Sequence, residues 1–534
     1  MAIRHWNPRQ ELSRQEQLLM KRLDRTRKLF GFLRTRRHEL FDVEFEKELE
    51  SMYRDSGAGK EPNPPAMMAM ALLLQSYVGA SDAEAVELTV VDLRWQMVLD
   101  RLGAAEPAFS QGSIAAFRDR LIEHDMDQSL LERTVALAKR TKEFDWRKLP
   151  KHLHLAIDSS PLEGAGRVED TINLLGHAAR KVVACAAALV GRSLEEVATE
   201  AGIPVLLGSS IKQALDVQWS DPAQKESGLE EFVSQLDSLE RWLLQQLPSE
   251  SAKPPLREAI DLLRQLRGQD LEPDPGGGGT RIREGVAPDR RVSVEDPEMR
   301  HGRKSKSKLF NGYKRHLAVD VDSGLILAGA VTPANRPEET ALPALERDFA
   351  GHHRPLATLY IDRGYLSSPL VEKTVAAGGD VVCRPWVARN GDLFSKDDFA
   401  IDLKAMTIIC PAGQTEPIRL GSPAQFSSAA CDPCPLRVLC TDAAPGSGRT
   451  VSIASDEPLQ QRLREASATA FGRLRLRTRT TVEHSLAHLA RRQGRRARYR
   501  GVRKNLFDLR RASSVLNLET IHRQTKARPQ KAAS

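Results

Sequence analysis

Three acidic residues stand where a metal-dependent phosphoryl-transfer centre would need them. Asp158 follows the strand-like run His152-Leu-His-Leu-Ala-Ile, Asp362 closes Thr358-Leu-Tyr-Ile-Asp, and Glu483 lies in an arginine-rich helical stretch. Two carboxylates from neighbouring strand ends and a third from a helix packed across them can hold two divalent ions about 4 Å apart, the spacing used for in-line attack on a phosphodiester. Each acid alone has a plainer reading: Asp158 before Ser159-Ser-Pro161 and Asp362 before Arg363-Gly-Tyr365 suit turn formers, and Glu483 suits a surface ion pair with Arg479 one helical turn earlier. Gly364 reads as the residue that turns the chain sharply beside Asp362. The case rests on the combination.

The elements that must position these acids follow from patterning. The order is a strand with Asp158, a hairpin (309–320 and 325–332, turning at Asp322-Ser-Gly324), a helix over 337–349, the Asp362 strand and a later helix with Glu483. Alternating and apolar runs give the strands, and the order is that of an α/β, RNase H-like catalytic core, a mixed sheet flanked by helices, with large insertions. On the Glu483 helix, Val482, Leu486 and Leu489 would pack on the sheet and aim the carboxylate inward.

At 534 residues the chain has room for several folded units. Residues 1–145 read as a helical N-terminal DNA-binding domain: prolines open an apolar helix at Pro64, Ser81-Asp-Ala-Glu84 has capping-box spacing for a helix running through Trp95, and another begins near Ser113. Residues 146–175 form the first part of the core. A helical insertion and Gly-rich linker occupy 176–280, with Leu229, Phe232, Leu236, Leu239, Leu243 and Leu247 on one amphipathic face and Pro273 to Gly279 as the linker. The core continues over 281–400, a Cys-rich insertion fills 401–455, the catalytic helix and basic segment take 456–520, and 521–534 reads as a disordered basic tail.

Charge points to a polyanionic partner. The formal net charge is +8, and Arg473 to Arg511 carries fourteen Lys or Arg against Glu483 and Asp508. Unless a solvated basic face is all it is, such density suits a nucleic-acid backbone. The candidate DNA contacts are Arg479, Arg491, Arg492, Arg495, Arg498, Arg500 and Lys504. Lys304, Lys306 and Lys308 suit phosphate contacts or a solvated loop. Asp320 and Asp322 read as turn residues. The start lacks a signal-peptide core and no apolar run reaches membrane-spanning length, so a cytosolic protein without membrane association is expected.

Four of six cysteines, Cys410, Cys431, Cys434 and Cys440, cluster in the sequence. Four thiolates suit a tetrahedral zinc site that would staple a strand-poor segment, but a second C-x2-C is missing, so unligated thiols remain the alternative. Cys185 and Cys383 read as core.

The contexts of Asp158, Asp362 and Glu483, with Gly312-Tyr-Lys-Arg-His, Val331-Thr-Pro-Ala-Asn335, Asp362-Arg-Gly-Tyr365 and Arg498-Tyr-Arg-Gly501, resemble the DDE transposases of bacterial insertion sequences, in particular the group with a cysteine-bearing insertion before the catalytic Glu. Pro64 to Leu121 resembles their helical N-terminal domain. The resemblance implies that Asp158, Asp362 and Glu483 are the catalytic, metal-binding triad for Mg²⁺ or Mn²⁺. It also implies double-stranded DNA partners, the element's terminal inverted repeats and target DNA, handled by a homo-oligomer. The wider signature has a Tyr before the Arg and a Lys after the Glu. Here Leu476 and Ala490 stand there, with Arg491 or Arg492 as the replacement cation. A catalytically idle DNA-binding descendant and a stand-alone RNase H-like nuclease are the competing readings.

Overall fold

The structure is a computed structural model that describes residues 4–23, 28–53, 61–141, 150–277, 279–305 and 307–526. The boundary expected at 145 and the residue Lys306 lie outside them. At its centre is a six-stranded mixed sheet: β1 (Leu153–Glu163), β2 (Arg300–Arg303), β3 (Leu309–Asp320), β4 (Ile326–Pro333), β5 (Leu356–Tyr360) and β6 (Asp380–Val382). β3 pairs antiparallel with β1, β2 and β4, while β5 runs parallel to β1 and β6 parallel to β5. The Asp158 strand, the β3–β4 hairpin and the strand before Asp362 follow in the expected order, while β2 and β6 are additions to it.

β1 is sandwiched. Leu153, Leu155 and Ile157 join one apolar cluster and Ala156 and Leu162 another, as the two-residue period of a strand buried on both faces requires. The second cluster also contains Val482, Leu486 and Leu489 of the Thr480–Gln493 helix, which therefore packs on that face as expected. Asp158 has the parity of Ala156, so it points to the side of that helix. One expectation is corrected: β1 continues five residues past Asp158, which sits opposite Leu317 in the ladder, whereas β5 stops at Tyr360, two residues before Asp362.

The N-terminal helices are not a body apart from the sheet. Phe30, Leu33, Phe45, Met70 and Leu130 belong to one continuous core with Leu155, Leu327 and Leu359. The element that joins them is the Val502–Lys526 helix, through Phe507, Val515, Leu518 and Ile521. Two of its arginines, Arg510 and Arg511, are buried. Arg510 pairs with Asp127 and Asp348 at 3.2 Å, Arg511 donates to Gln75 and Asp508, and Arg503 reaches Asp127 at 2.6 Å. Helix continues through Lys526 where a disordered tail was expected from 521, because Ile521 is a core residue. The capping box at Ser81 is present, but its helix ends at Val91 and Asp92 caps a new one, Leu93–Leu99. The next, Gln111–Glu123, starts at the Ser110 cap.

The insertion builds its own core around Phe232, Leu236, Val182 and Leu263, from the Thr171–Val190, Pro222–Gln246 and Leu256–Asp270 helices. Thr171–Val190 is long and apolar enough to cross a membrane by length and composition, contrary to the expectation that no such run exists. Its apolar face is packed inside this core. Leu271–Pro273 and Thr280–Ile282, which flank the expected glycine linker, pair as antiparallel strands. The Cys-rich segment is richer in strands than expected: five short ones in two small sheets enclose Phe399, Ile408, Phe426 and Val451.

Candidate active site

Asp158, Asp362 and Glu483 meet around one guanidinium. Arg479 Nη1 lies 2.9 Å from Asp158 Oδ2 and 3.9 Å from Asp362 Oδ2, and its Nη2 lies 2.8 Å from Glu483 Oε1. The helix spacing that puts Arg479 one turn before Glu483 thus also reaches both strand acids. The three carboxylates differ in setting. Asp158 is held in the strand with its side chain 16% exposed, against 51% for Asp362 and 43% for Glu483. Burial pushes the Asp158 carboxyl up to about 6 against the opposing pull of Arg479, with Glu338 and Asp362 adding to the rise.

Asp362 caps the single turn Arg363–Tyr365. Tyr365 anchors that turn: it is fully buried, and its hydroxyl lies 2.8 Å from His316 Nδ1, whose other ring nitrogen meets Thr332 Oγ1 at 3.0 Å. Burial lowers His316 to about 3 and lifts the Tyr365 phenol well above its ordinary range, so both stay neutral. The chain does turn at Gly364 beside Asp362, as expected, but without a positive φ.

The donor set fits a hard divalent cation, since three carboxylates from three separate elements converge on one arginine that bridges them. In this structure Arg479 sets their separation. Among the described residues, the group of His, Cys, Asp or Glu whose ligand atoms all lie within 4.8 Å of one another is His5, Glu46 and Glu50 in the N-terminal region. Neither the triad nor the cysteines reach that spacing. Cys410, Cys431, Cys434 and Cys440 do line one small cavity, where two of the sulfurs face backbone N–H groups, of Gln414 and Arg449. Because the sulfurs do not come within that spacing, the expected zinc site is not supported. Cys383 is buried as expected, while Cys185 is only partly so.

The candidate DNA contacts separate into two kinds. Arg492 donates to the Tyr77 carbonyl and pairs with Glu519, Arg498 donates to the Gly79 and Ala80 carbonyls at the end of the Pro65–Val78 helix, Arg500 pairs with Glu295, and Lys504 lies 3.2 Å from Asp119. All four have partners within the chain, although Arg498, Arg500 and Lys504 remain exposed. Arg491 and Arg495 are exposed, so of the two proposed replacements for the missing lysine, Arg491 is the one that faces solvent. Asp320 is buried on Ser323 and Arg354, and Asp322 pairs with His154. Sequence reasoning missed Ser159 and Glu338, which join beside Asp158. Nothing local marks Glu338, since it opens a helical turn far from the acids in sequence.

Two family models match the chain: Transposase DDE domain over residues 287–518 and Transposase domain (DUF772) over residues 21–120. Searches of curated proteins and of solved structures gave no match. The first model spans Asp362, Arg479 and Glu483, and the second spans most of the N-terminal helices. With both matches on one chain and its acids brought together by Arg479, the protein belongs to the DDE transposases of the insertion-sequence type.

Proposed function

We propose that this transposase moves an insertion sequence by binding the element's terminal inverted repeats, cutting the strand at each end and joining the freed 3′ ends to target DNA, with Asp158, Asp362 and Glu483 as its catalytic triad. The observation that carries this reading is the convergence of three carboxylates from β1, the turn after β5 and a helix on one arginine. The three acids would hold Mg²⁺, or Mn²⁺ in its place. Divalent ions bound by such a set activate a water or 3′-hydroxyl and stabilise the departing oxygen.

The chain's own residues do the positioning. Asp158, fixed within a paired strand, is the rigid member; Asp362 and Glu483, on a turn and an exposed helix face, adjust around it. Arg479 neutralises the acids before DNA arrives and is placed to turn to the phosphate flanking the cut. Arg491 and Arg495 track the backbone, and the N-terminal helices recognise the repeat. Two ends must be processed together, so the working form is a homo-oligomer on DNA.

The test is incubation with Mg²⁺ and labelled DNA carrying an element end. Nicking and strand transfer are expected from the wild type and neither from Asp158→Ala, Asp362→Ala or Glu483→Ala. Wild-type cleavage in the three variants would overturn the triad. Cleavage without joining would instead favour a nuclease, and specific binding without cleavage an idle binder.

A further inference from the structure

We propose that Glu338 is a fourth carboxylate of this centre, set between β1 and the Asp362 turn to raise the affinity for a divalent cation, and that residue 364 is glycine to leave it room. The inference rests on the triad reading above. Glu338 opens the short turn Glu338–Ala341 after β4 and is only partly exposed. Ser159, the neighbour of Asp158, donates its hydroxyl to Glu338 Oε1 at 2.5 Å. The other oxygen lies against the Asp362 turn: a Cβ added at Gly364 would stand 2.4 Å from Glu338 Oε2. This carboxylate is thus held by the neighbour of Asp158 on one side and packed against Gly364, two residues after Asp362, on the other. Gly364 needs no unusual φ, so the close approach of this carboxylate accounts for the absence of a side chain there.

The electrostatics agree with the geometry. Glu338 is among the charges that hold the Asp158 carboxyl above its ordinary range and that raise the buried Tyr365 phenol. It makes no ion pair among the described residues. Four carboxylates therefore face one arginine, with Lys314 the further cation in electrostatic reach of Glu338. Their mutual repulsion is relieved by a cation, so the fourth charge increases the demand for one. Ser159 acts as the clip that keeps this charge near the other acids. The substrate class is unchanged, but the metal affinity of the centre becomes a property of four acids.

The experiment is Mn²⁺ titration of the full chain without DNA, followed by electron paramagnetic resonance, for wild type, Glu338→Gln, Gly364→Ala and Asp362→Asn. Glutamine keeps the acceptor for Ser159 and the shape of the side chain, so folding is retained and only charge is lost. Asp362→Asn defines the signal from the centre by abolishing its tight class of ions. Glu338→Gln is expected to weaken that class about tenfold, the size of effect typical of groups that support metal ligands. Gly364→Ala, which must push Glu338 aside, is expected to weaken it too, and to add nothing in the Glu338→Gln background. Wild-type affinity in Glu338→Gln or in Gly364→Ala, with Asp362→Asn still defective, would overturn the role of Glu338 and leave the triad standing. Wild-type affinity in Asp362→Asn would instead remove the triad reading itself.

Discussion

Two helical blocks, residues 14–140 and 171–270, look alike in the sequence, both apolar on one face and capped by Ser or Asp, yet they bury those faces in opposite ways. The first shares its core with the central sheet through the Val502–Lys526 helix. The second closes a core on itself, its two ends joined where Thr171 donates to Asp270 at 3.0 Å and Arg290 pairs with the same carboxylate, with Ile282 and Val294 packed on it from outside the block. Periodicity reports that a face is buried, not against what. A helical block is a domain only when its apolar face finds its partner inside the block.

The largest expected effect is a truncation. A chain ending at residue 501 lacks the helix that the first block and the sheet share, and is expected to lose its main cooperative unfolding transition and precipitate. Replacing 171–270 by a short Gly/Ser link, in contrast, should leave that transition in place. If the truncated chain still unfolds cooperatively, the shared core is not what supports the first block. Next comes Arg510→Ala, which strands Asp127 and Asp348 and is expected to cost about 4 kcal/mol in denaturant unfolding. A loss under 1 kcal/mol would mean that the ion pairs are dispensable. Leu236→Ala, in the second block, should cost about 3 kcal/mol but only in a separate transition, with DNA nicking retained at low temperature; one merged transition would show the blocks to be coupled.

The smallest effect expected concerns pH and falls on the sheet side alone. Because the folded Asp158 carboxyl titrates at about 6 and its ordinary value is 3.8, the unfolded chain releases this proton first as pH rises. Stability from this group is therefore full below about pH 4, declines toward pH 6 and is flat above. In chelator, the main transition of wild type should fall across that window relative to Asp158→Asn, while the second block's transition does not move. Parallel pH profiles for the two proteins would contradict the burial assigned to Asp158.

Much of the site was legible because it is local. Arg479 and Glu483 are one helical turn apart, and Val482, Leu486 and Leu489 mark the face that packs on the sheet, so one short segment fixes both direction and partner. Asp158 was found for a partly mistaken reason: the strand does not stop there, and what exposes the carboxylate is its parity toward the helix side. What stayed hidden depends on contacts far apart in sequence. Arg492, Arg503, Arg510 and Arg511 are chemically the same as Arg491 and Arg495, and only tertiary partners such as Asp127, Asp348 and Glu519 separate a buried strut from a free cation. Ser159 and Glu338 are 179 residues apart and carry no common motif. The thiols illustrate the converse, a suggestive spacing that folds beside strands and an apolar core of their own.

The Val502–Lys526 helix also sets an order of events during synthesis. It is made after every other element it touches, so the N-terminal helices and β4 leave the ribosome with their shared faces open and must wait for it. A nascent chain is therefore held incomplete until this helix arrives, and a message cut short between codons 483 and 502 yields a product with the three acids but no closed body to carry them. Translation through this helix thus becomes a condition for bringing the three acids into one closed body.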